Sequence, residues 1–157
     1  MASAGTLADL RERWRVWLML GLVIAGTVVS AYLVKVALDP DKVIACGPVG
    51  DCHTVQSSQY AEVAGVPVAA FGLLMYVGLL ALVGARVARV GSEATQAAFG
   101  TLTFSLALGG VVYSLYLTYL ELAVIHAICI YCVTSAAIIT VVFVLAIPDA
   151  ARRSGPA

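Results

Sequence analysis

The sequence predicts an all-α membrane protein, a bundle of four transmembrane helices forming one domain of 157 residues. Composition is the first reason: 62% of the residues are hydrophobic and 11% are charged, whereas soluble domains are about 45–50% apolar. The spacing of the charges is the second, because it leaves four uncharged segments, residues 16–34, 66–84, 97–119 and 127–147. Each is close to the roughly 20 residues that a helix needs to cross a bilayer.

Other membrane architectures fit less well. Lipid cannot satisfy the unpaired backbone groups of an open sheet, and the segments lack the alternation of barrel strands. The first segment follows three arginines, as a signal peptide would, but it exceeds the roughly 7–15 apolar residues of such a signal. Lys35 follows it without a small-residue cleavage site. We therefore expect a retained helix.

The basic residues predict the orientation. Most of the nine Lys and Arg residues fall in the N-terminal tail, in the connection between the second and third helices, and in the C-terminal tail: Arg11, Arg13, Arg15, Arg86, Arg89, Arg152 and Arg153. Four crossings put these three segments on one side, which the positive-inside rule makes the cytoplasm. We predict a multi-pass plasma-membrane protein with cytoplasmic termini and an extracytoplasmic loop at about residues 35–65. Zero net charge gives no indication of nucleic-acid binding.

All four cysteines are predicted to lie at the extracytoplasmic face. Cys46 and Cys52 lie in the long loop, whereas Cys129 and Cys132, in the motif CIYC, open the fourth helix. A spacing of three residues puts the second pair on one helix face. After Cys52, the stretch HTVQSSQYAEVA predicts a short amphipathic helix that would cover the bundle.

Several kinds of chemistry are open to these cysteines. The loop pair could form a static disulfide, since the extracytoplasmic side permits one, and the CIYC pair could be small buried hydrophobes. Four thiolates, with His53 beside them, could also bind zinc, although C-x5-C is not the usual zinc spacing. Because all four gather at one face, we favour electron relay over metal binding, and we assign no metal site.

Helix direction supports redox chemistry. The start of a helix favours an anion, so a thiolate at Cys129 or Cys132 would form more easily; a protonated His126 would add to this, and apolar surroundings would oppose it. A dithiol at this depth needs an electron carrier that reaches it through the lipid. A membrane quinone is such a carrier, and it accepts two electrons, the number that one dithiol releases when it forms a disulfide. The loop pair could meet soluble proteins and pass electrons inward by thiol–disulfide exchange.

The motifs resemble one known family. C-x5-C is followed by HTVQSSQYAEVAGVPVAAFG, and CIYC comes about 57 residues after that stretch. This arrangement, within a four-helix frame, resembles the vitamin K epoxide reductase family, and its bacterial members most of all. The resemblance covers roughly residues 11–147.

The resemblance implies a role for each cysteine. Cys132 would face the quinone and Cys129 would exchange with the loop; Cys52 would be its partner, and Cys46 would exchange with an external thioredoxin-like protein. A ubiquinone or menaquinone type of acceptor is implied. The resemblance also implies three further residues at the quinone site: Ser57, Phe71 and Ala136.

Two positions depart from the vertebrate pattern. Val68 stands where vertebrate members have an asparagine that holds the vitamin K oxygen, and Ala136 stands where they have a tyrosine. We therefore expect a quinone-dependent thiol–disulfide oxidoreductase that supports disulfide formation in exported proteins, with a separate thioredoxin-like partner because no fused domain is expected. The alternatives are a vitamin K quinone or epoxide reductase and a non-catalytic metal-binding or structural membrane bundle.

Overall fold

The structure, a computed structural model, describes residues 2–39, 46 and 50–153. Helix α1 (Ala2–Ala37) leads to a short helix α2 (Cys52–Gln56) and a hairpin of strands β1 (Glu62–Val63) and β2 (Val66–Pro67). Helices α3 (Val68–Val87) and α4 (Glu93–Tyr119) follow, then a π-helical turn (Leu120–Ile125) and helix α5 (Ile130–Arg153). Over these residues α1, α3, α4 and α5 are each long and apolar enough to cross a membrane. The predicted four-helix membrane bundle is confirmed.

The helices pack mainly as two pairs, α1 against α3 and α4 against α5. Tyr76 on α3 lies at the centre, fully buried, and its hydroxyl donates a hydrogen bond to the Ser135 carbonyl oxygen at 3.0 Å. Its ring lies directly over Gly26 of α1, where any Cβ atom would overlap it. A glycine is therefore required for α1 and α3 to approach this closely.

Helix α1 extends well beyond the uncharged segment that predicted it. It begins at Ala2 rather than near residue 16, and its 36 residues make it about 54 Å long at 1.5 Å per residue. A hydrocarbon core is only about 30 Å thick, so part of α1 projects from the bilayer. An uncharged run marks the buried part of a helix and not its ends, which explains the difference.

The loop after α1 is only partly helical. The predicted short helix exists, but it covers Cys52–Gln56 and does not continue through the predicted stretch to residue 64. Ser57 and Ser58 end it by bonding back to the carbonyl oxygens of His53 and Val55, both at 2.8 Å. Such side-chain bonds compete with helical ones. Residues 40–45 and 47–49 of the loop lie outside the described residues.

A tight hairpin replaces the rest of the predicted loop helix. Strand β1 pairs antiparallel with β2, with Val63 opposite Val66. The two residues between them, Ala64 and Gly65, both have positive φ angles, 54° and 78°. Positive φ at both central residues is typical of the two-residue hairpin turn, which brings the chain directly into α3.

The connection from α4 to α5 also differs from the predicted boundaries. Helix α4 continues through the π-helical turn to Ile125, and α5 begins at Ile130 rather than at residue 127. His126 takes the left-handed conformation, with φ 57°, and so ends the π-helical turn. Cys129 therefore precedes α5 and does not lie in its first turn.

Charged side chains meet at the end of the bundle that carries Arg86, which we call the arginine end. Asp149 on α5 accepts two hydrogen bonds from Arg86 on α3, at 2.8 and 3.1 Å, and one from Arg15 on α1 at 2.6 Å. The Asp149 and Arg86 side chains are 5% and 6% exposed. This cluster joins three of the four spanning helices.

We predict that Asp149→Asn lowers the free energy of unfolding by about 3–5 kcal/mol, because removing one partner leaves buried charge uncompensated. Asp9→Asn is the matched control: the Asp9–Arg89 pair is 3.9 Å apart and both side chains are more than half exposed, so its loss should cost less than about 1 kcal/mol. Unfolding in mild detergent with added denaturant measures both. Equal losses in the two variants would contradict the role given to Asp149.

Candidate functional site

The four cysteines gather in one place, at the end of the bundle opposite the arginine end, which we call the cysteine end. Cys52 and Cys129 are both fully buried and belong to the same apolar cluster. Cys46 and Cys132 pack against that cluster. The other buried members come from α1 and α2: Leu33, Val36 and Val55. The loop pair and the CIYC pair therefore share one apolar environment.

The two pairs are in different redox states. Cys46 and Cys52 form a disulfide with their Cα atoms 5.7 Å apart, whereas Cys129 and Cys132 are free thiols. Cys52 is the first residue of α2, which is capped by the Asp51 side chain through a 3.0 Å bond from the Thr54 N–H. An oxidised pair beside a reduced pair is the arrangement that thiol–disulfide exchange requires.

A backbone hydrogen bond fixes the loop against the start of α5. The Asp51 N–H donates to the Ile128 carbonyl oxygen at 3.1 Å. The neighbouring residue is Gly50. A Cβ atom at this position would lie 3.1 Å from the Ile128 carbonyl oxygen, which is closer than most Cβ contacts, and 3.4 Å from Cys46 Sγ. The residue before Cys52 is thus bonded to the residue before Cys129.

Cys129 occupies the N-cap position of α5. Its carbonyl oxygen accepts the Val133 N–H at 3.0 Å, and its sulfur accepts hydrogen bonds from the Cys132 thiol and from the N–H groups of Cys132 and Tyr131. These bonds, the thiol bond foremost, lower the pKa of Cys129 below the ordinary thiol value, although burial and the Glu121 carboxylate act in the opposite direction. An N-cap side chain normally accepts from these same amides, so Cys129 is placed to be a reactive thiolate.

Glu121 is a part of the site that the sequence analysis did not select. It lies in the π-helical turn, is 4% exposed, and its Oε2 accepts the Cys129 N–H at 3.1 Å. Its carboxylate is also an acceptor for the Cys132 thiol, whose single proton it shares with the Cys129 sulfur. The signal was in the sequence: Glu121 is the only Asp, Glu, Lys or Arg residue between Glu93 and Asp149.

A cavity of about 530 Å³ adjoins the thiols, within the range of about 300–1,000 Å³ for small-molecule sites. It lies between α3 and α4 beneath the loop, and Cys132 and Glu121 form part of its wall. The lining is mostly apolar, with scattered hydroxyl groups that include Ser30, Ser58, Tyr113, Ser114 and Ser135. An apolar ring with a few polar oxygens, such as a quinone, fits this lining.

The predicted quinone residues fall into two groups. Phe71 and Cys132 line the cavity. Ser57 does not: its side chain is exposed and bonds back to His53, and Ser58 lines the cavity instead. Ala136 is also not among the lining residues, and the assignment of both to the quinone stays a prediction.

We predict that Cys129 titrates below the ordinary thiol value of about 8.5 in a Cys46→Ala, Cys52→Ala protein, where no exchange can occur, because the hydrogen bonds to its sulfur lower its pKa. The thiolate therefore forms at a lower pH than it does in a free cysteine. Adding Cys132→Ala removes the thiol hydrogen bond, so the midpoint should rise toward the ordinary value of about 8.5. Thiolate ultraviolet absorbance measures both; the same midpoint with and without Cys132 would contradict the assigned cause.

Comparison with known families agrees with this site. The model of the vitamin K epoxide reductase family matches residues 17–147, which is most of the chain and includes all four cysteines. The matched region also contains Glu121 and every residue of the cavity. The chain therefore belongs to the vitamin K epoxide reductase family and is a membrane oxidoreductase.

Proposed function

We propose that this protein is a quinone-dependent thiol–disulfide oxidoreductase that supports disulfide formation in exported proteins. Electrons enter from a reduced thioredoxin-like protein, pass through the Cys46–Cys52 pair to the Cys129–Cys132 pair, and leave on a membrane quinone. Both termini are then cytoplasmic, and the cysteine end faces the extracytoplasmic side, where such substrates are found.

Each step transfers two electrons. The partner's dithiol reduces the Cys46–Cys52 disulfide, with Cys46 as the sulfur that the partner attacks. Cys52 then attacks the Cys129–Cys132 disulfide at Cys129, and a Cys52–Cys129 mixed disulfide is the intermediate. Cys46 resolves it, which restores the loop disulfide and leaves Cys129 and Cys132 as thiols. Their oxidation back to a disulfide reduces one quinone to quinol.

The shared burial of Cys52 and Cys129 is the observation that carries this proposal. Exchange requires one sulfur to reach another, and the bond from Asp51 to Ile128 fixes the residues that precede these two cysteines. Cys132, one helical turn after Cys129, is the member of the pair that lines the cavity. This division supports Cys129 as the exchanging sulfur and Cys132 as the sulfur next to the quinone.

The lining of the cavity favours an ordinary quinone as the acceptor over vitamin K epoxide. Val68, where the resemblance places the vertebrate asparagine, lines the cavity with an apolar side chain. It offers no amide to hold an epoxide or carbonyl oxygen. Ubiquinone and menaquinone types both suit the apolar wall.

We predict that Cys132→Ala lowers quinone reduction at least about 1,000-fold with dithiothreitol as the electron donor, because it removes one of the two sulfurs that form the reacting disulfide. A short-chain ubiquinone analogue, followed by its absorbance, measures the rate. Thr134→Ala on the same helix is the matched control, since Thr134 is exposed and, within the described part of the chain, its hydroxyl bonds the Ile130 carbonyl oxygen of its own helix. It should keep the native rate.

A second variant, Cys46→Ala, distinguishes the role of the loop pair from that of the CIYC pair. Cys46→Ala should keep dithiothreitol-driven quinone reduction, because this small donor can reduce the Cys129–Cys132 disulfide without the loop. A Cys132→Ala protein that reduces quinone at the native rate would overturn the proposed function.

A further inference from the structure

Glu121 is a buried carboxylate that the relay described above does not use. It is 4% exposed and lies in an apolar part of the bundle. Burying a carboxylate is costly unless hydrogen bonds satisfy it, and its bonds go to the Cys129 N–H and the Cys132 side chain. Both partners belong to the reacting pair.

Glu121 also lines the cavity that we assign to the quinone. Among the described residues that line the cavity it is the only carboxylate, and it shares the wall with Cys132. The same carboxyl group thus hydrogen-bonds a reacting thiol and borders the volume assigned to the quinone.

The backbone holds Glu121 in this position. The π-helical turn ends at His126, whose N–H bonds back to the Glu121 carbonyl oxygen, and the Ala127 N–H bonds the same oxygen at 3.1 Å. These bonds fold the chain back, so that a residue eight positions before Cys129 meets it. Single π-helical turns are frequent at functional sites.

We propose that Glu121 is a catalytic residue that carries a proton from the Cys132 thiol to the quinone. This inference rests on the proposed function, because it needs a quinone at the cavity. The cysteines account for the transfer of electrons to the quinone, and Glu121 would account for the transfer of a proton.

Oxidation of the two thiols delivers two electrons and two protons to one quinone. The Cys132 S–H bond breaks and its proton passes to the Glu121 carboxylate; an S–S bond forms between Cys132 and Cys129, and the electron pair released reduces the quinone. The carboxylic acid of Glu121 then donates its proton to one quinone oxygen and returns to carboxylate. The second proton of the quinol comes from the Cys129 thiol, or from water when Cys129 is already a thiolate.

If Glu121 had a purely structural role, its substitutions would have different effects. As a cap it would only need an oxygen to accept the Cys129 N–H, and a glutamine supplies that oxygen with the same shape. Glutamine cannot take up a proton from a thiol. Glu121→Gln therefore keeps the cap and removes the proton carrier, whereas Glu121→Asp keeps an acid on a side chain one methylene shorter.

The experiment follows a single turnover in the full-length protein. Fully reduced protein is mixed with a short-chain ubiquinone analogue, and quinone absorbance is recorded over time. We expect Glu121→Gln to slow the reaction about 100-fold or more, the usual contribution of a positioned acid–base group. Glu121→Asp should recover most of that loss. Disulfide exchange is measured by adding Cys46→Ala to each variant, because the Cys52–Cys129 mixed disulfide is then not resolved by Cys46 and accumulates; its formation should be unchanged, because this step does not involve the quinone.

The outcomes distinguish the two proposals. If the unmodified protein reduces quinone and Glu121→Gln does so within about threefold of its rate, the proton route is overturned while the electron relay stands. If Glu121→Gln also loses mixed-disulfide formation and Glu121→Asp does not recover it, Glu121 is a structural cap and the inference fails. If the unmodified protein reduces no quinone, the proposed function fails and this inference fails with it.

Discussion

The site depends on one backbone contact, the hydrogen bond from the Asp51 N–H to the Ile128 carbonyl oxygen. It joins two chain segments that are far apart in sequence, and each is followed directly by a cysteine. On the other side of the same segment, Glu121 accepts the Cys129 N–H. The four residues between the π-helical turn and α5 are thus held from both sides, which places Cys129 at the N-cap instead of inside a helix. The N-cap position is also what gives its sulfur the backbone donors that favour a thiolate.

The two ends of the bundle use charge in different ways. At the arginine end Asp149 is matched by two arginines, and the pairing links α1, α3 and α5. At the cysteine end Glu121 is satisfied by a backbone amide and a thiol. The first arrangement suits stability, because none of its three charged groups has to gain or lose a proton during the reaction. The second leaves the carboxylate in contact with groups that lose and gain protons, which is suited to chemistry.

The sequence predicted the four membrane helices well because each helix that crosses the bilayer requires about 20 uncharged residues, a pattern that is visible in the sequence. It also predicted that the cysteines meet, from their side of the membrane and from the family motifs. It failed where tertiary contacts decide local structure. The stretch after Cys52 has a helical pattern, but Ser57 and Ser58 bond back to the helix and Ala64 and Gly65 form a turn. Glu121 was overlooked because a lone charge near the end of a predicted helix indicates a solvent-exposed connection, and only the π-helical turn shows that it folds inward.

We propose that the loop and the start of α5 hold Cys52 and Cys129 close enough to exchange. Mapping the disulfides of a Cys46→Ala, Cys132→Ala protein after mild oxidation tests this most directly, because only those two cysteines remain. We expect an intramolecular Cys52–Cys129 disulfide to form in nearly every molecule. Free thiols at both positions, or disulfides only between separate molecules, would contradict it.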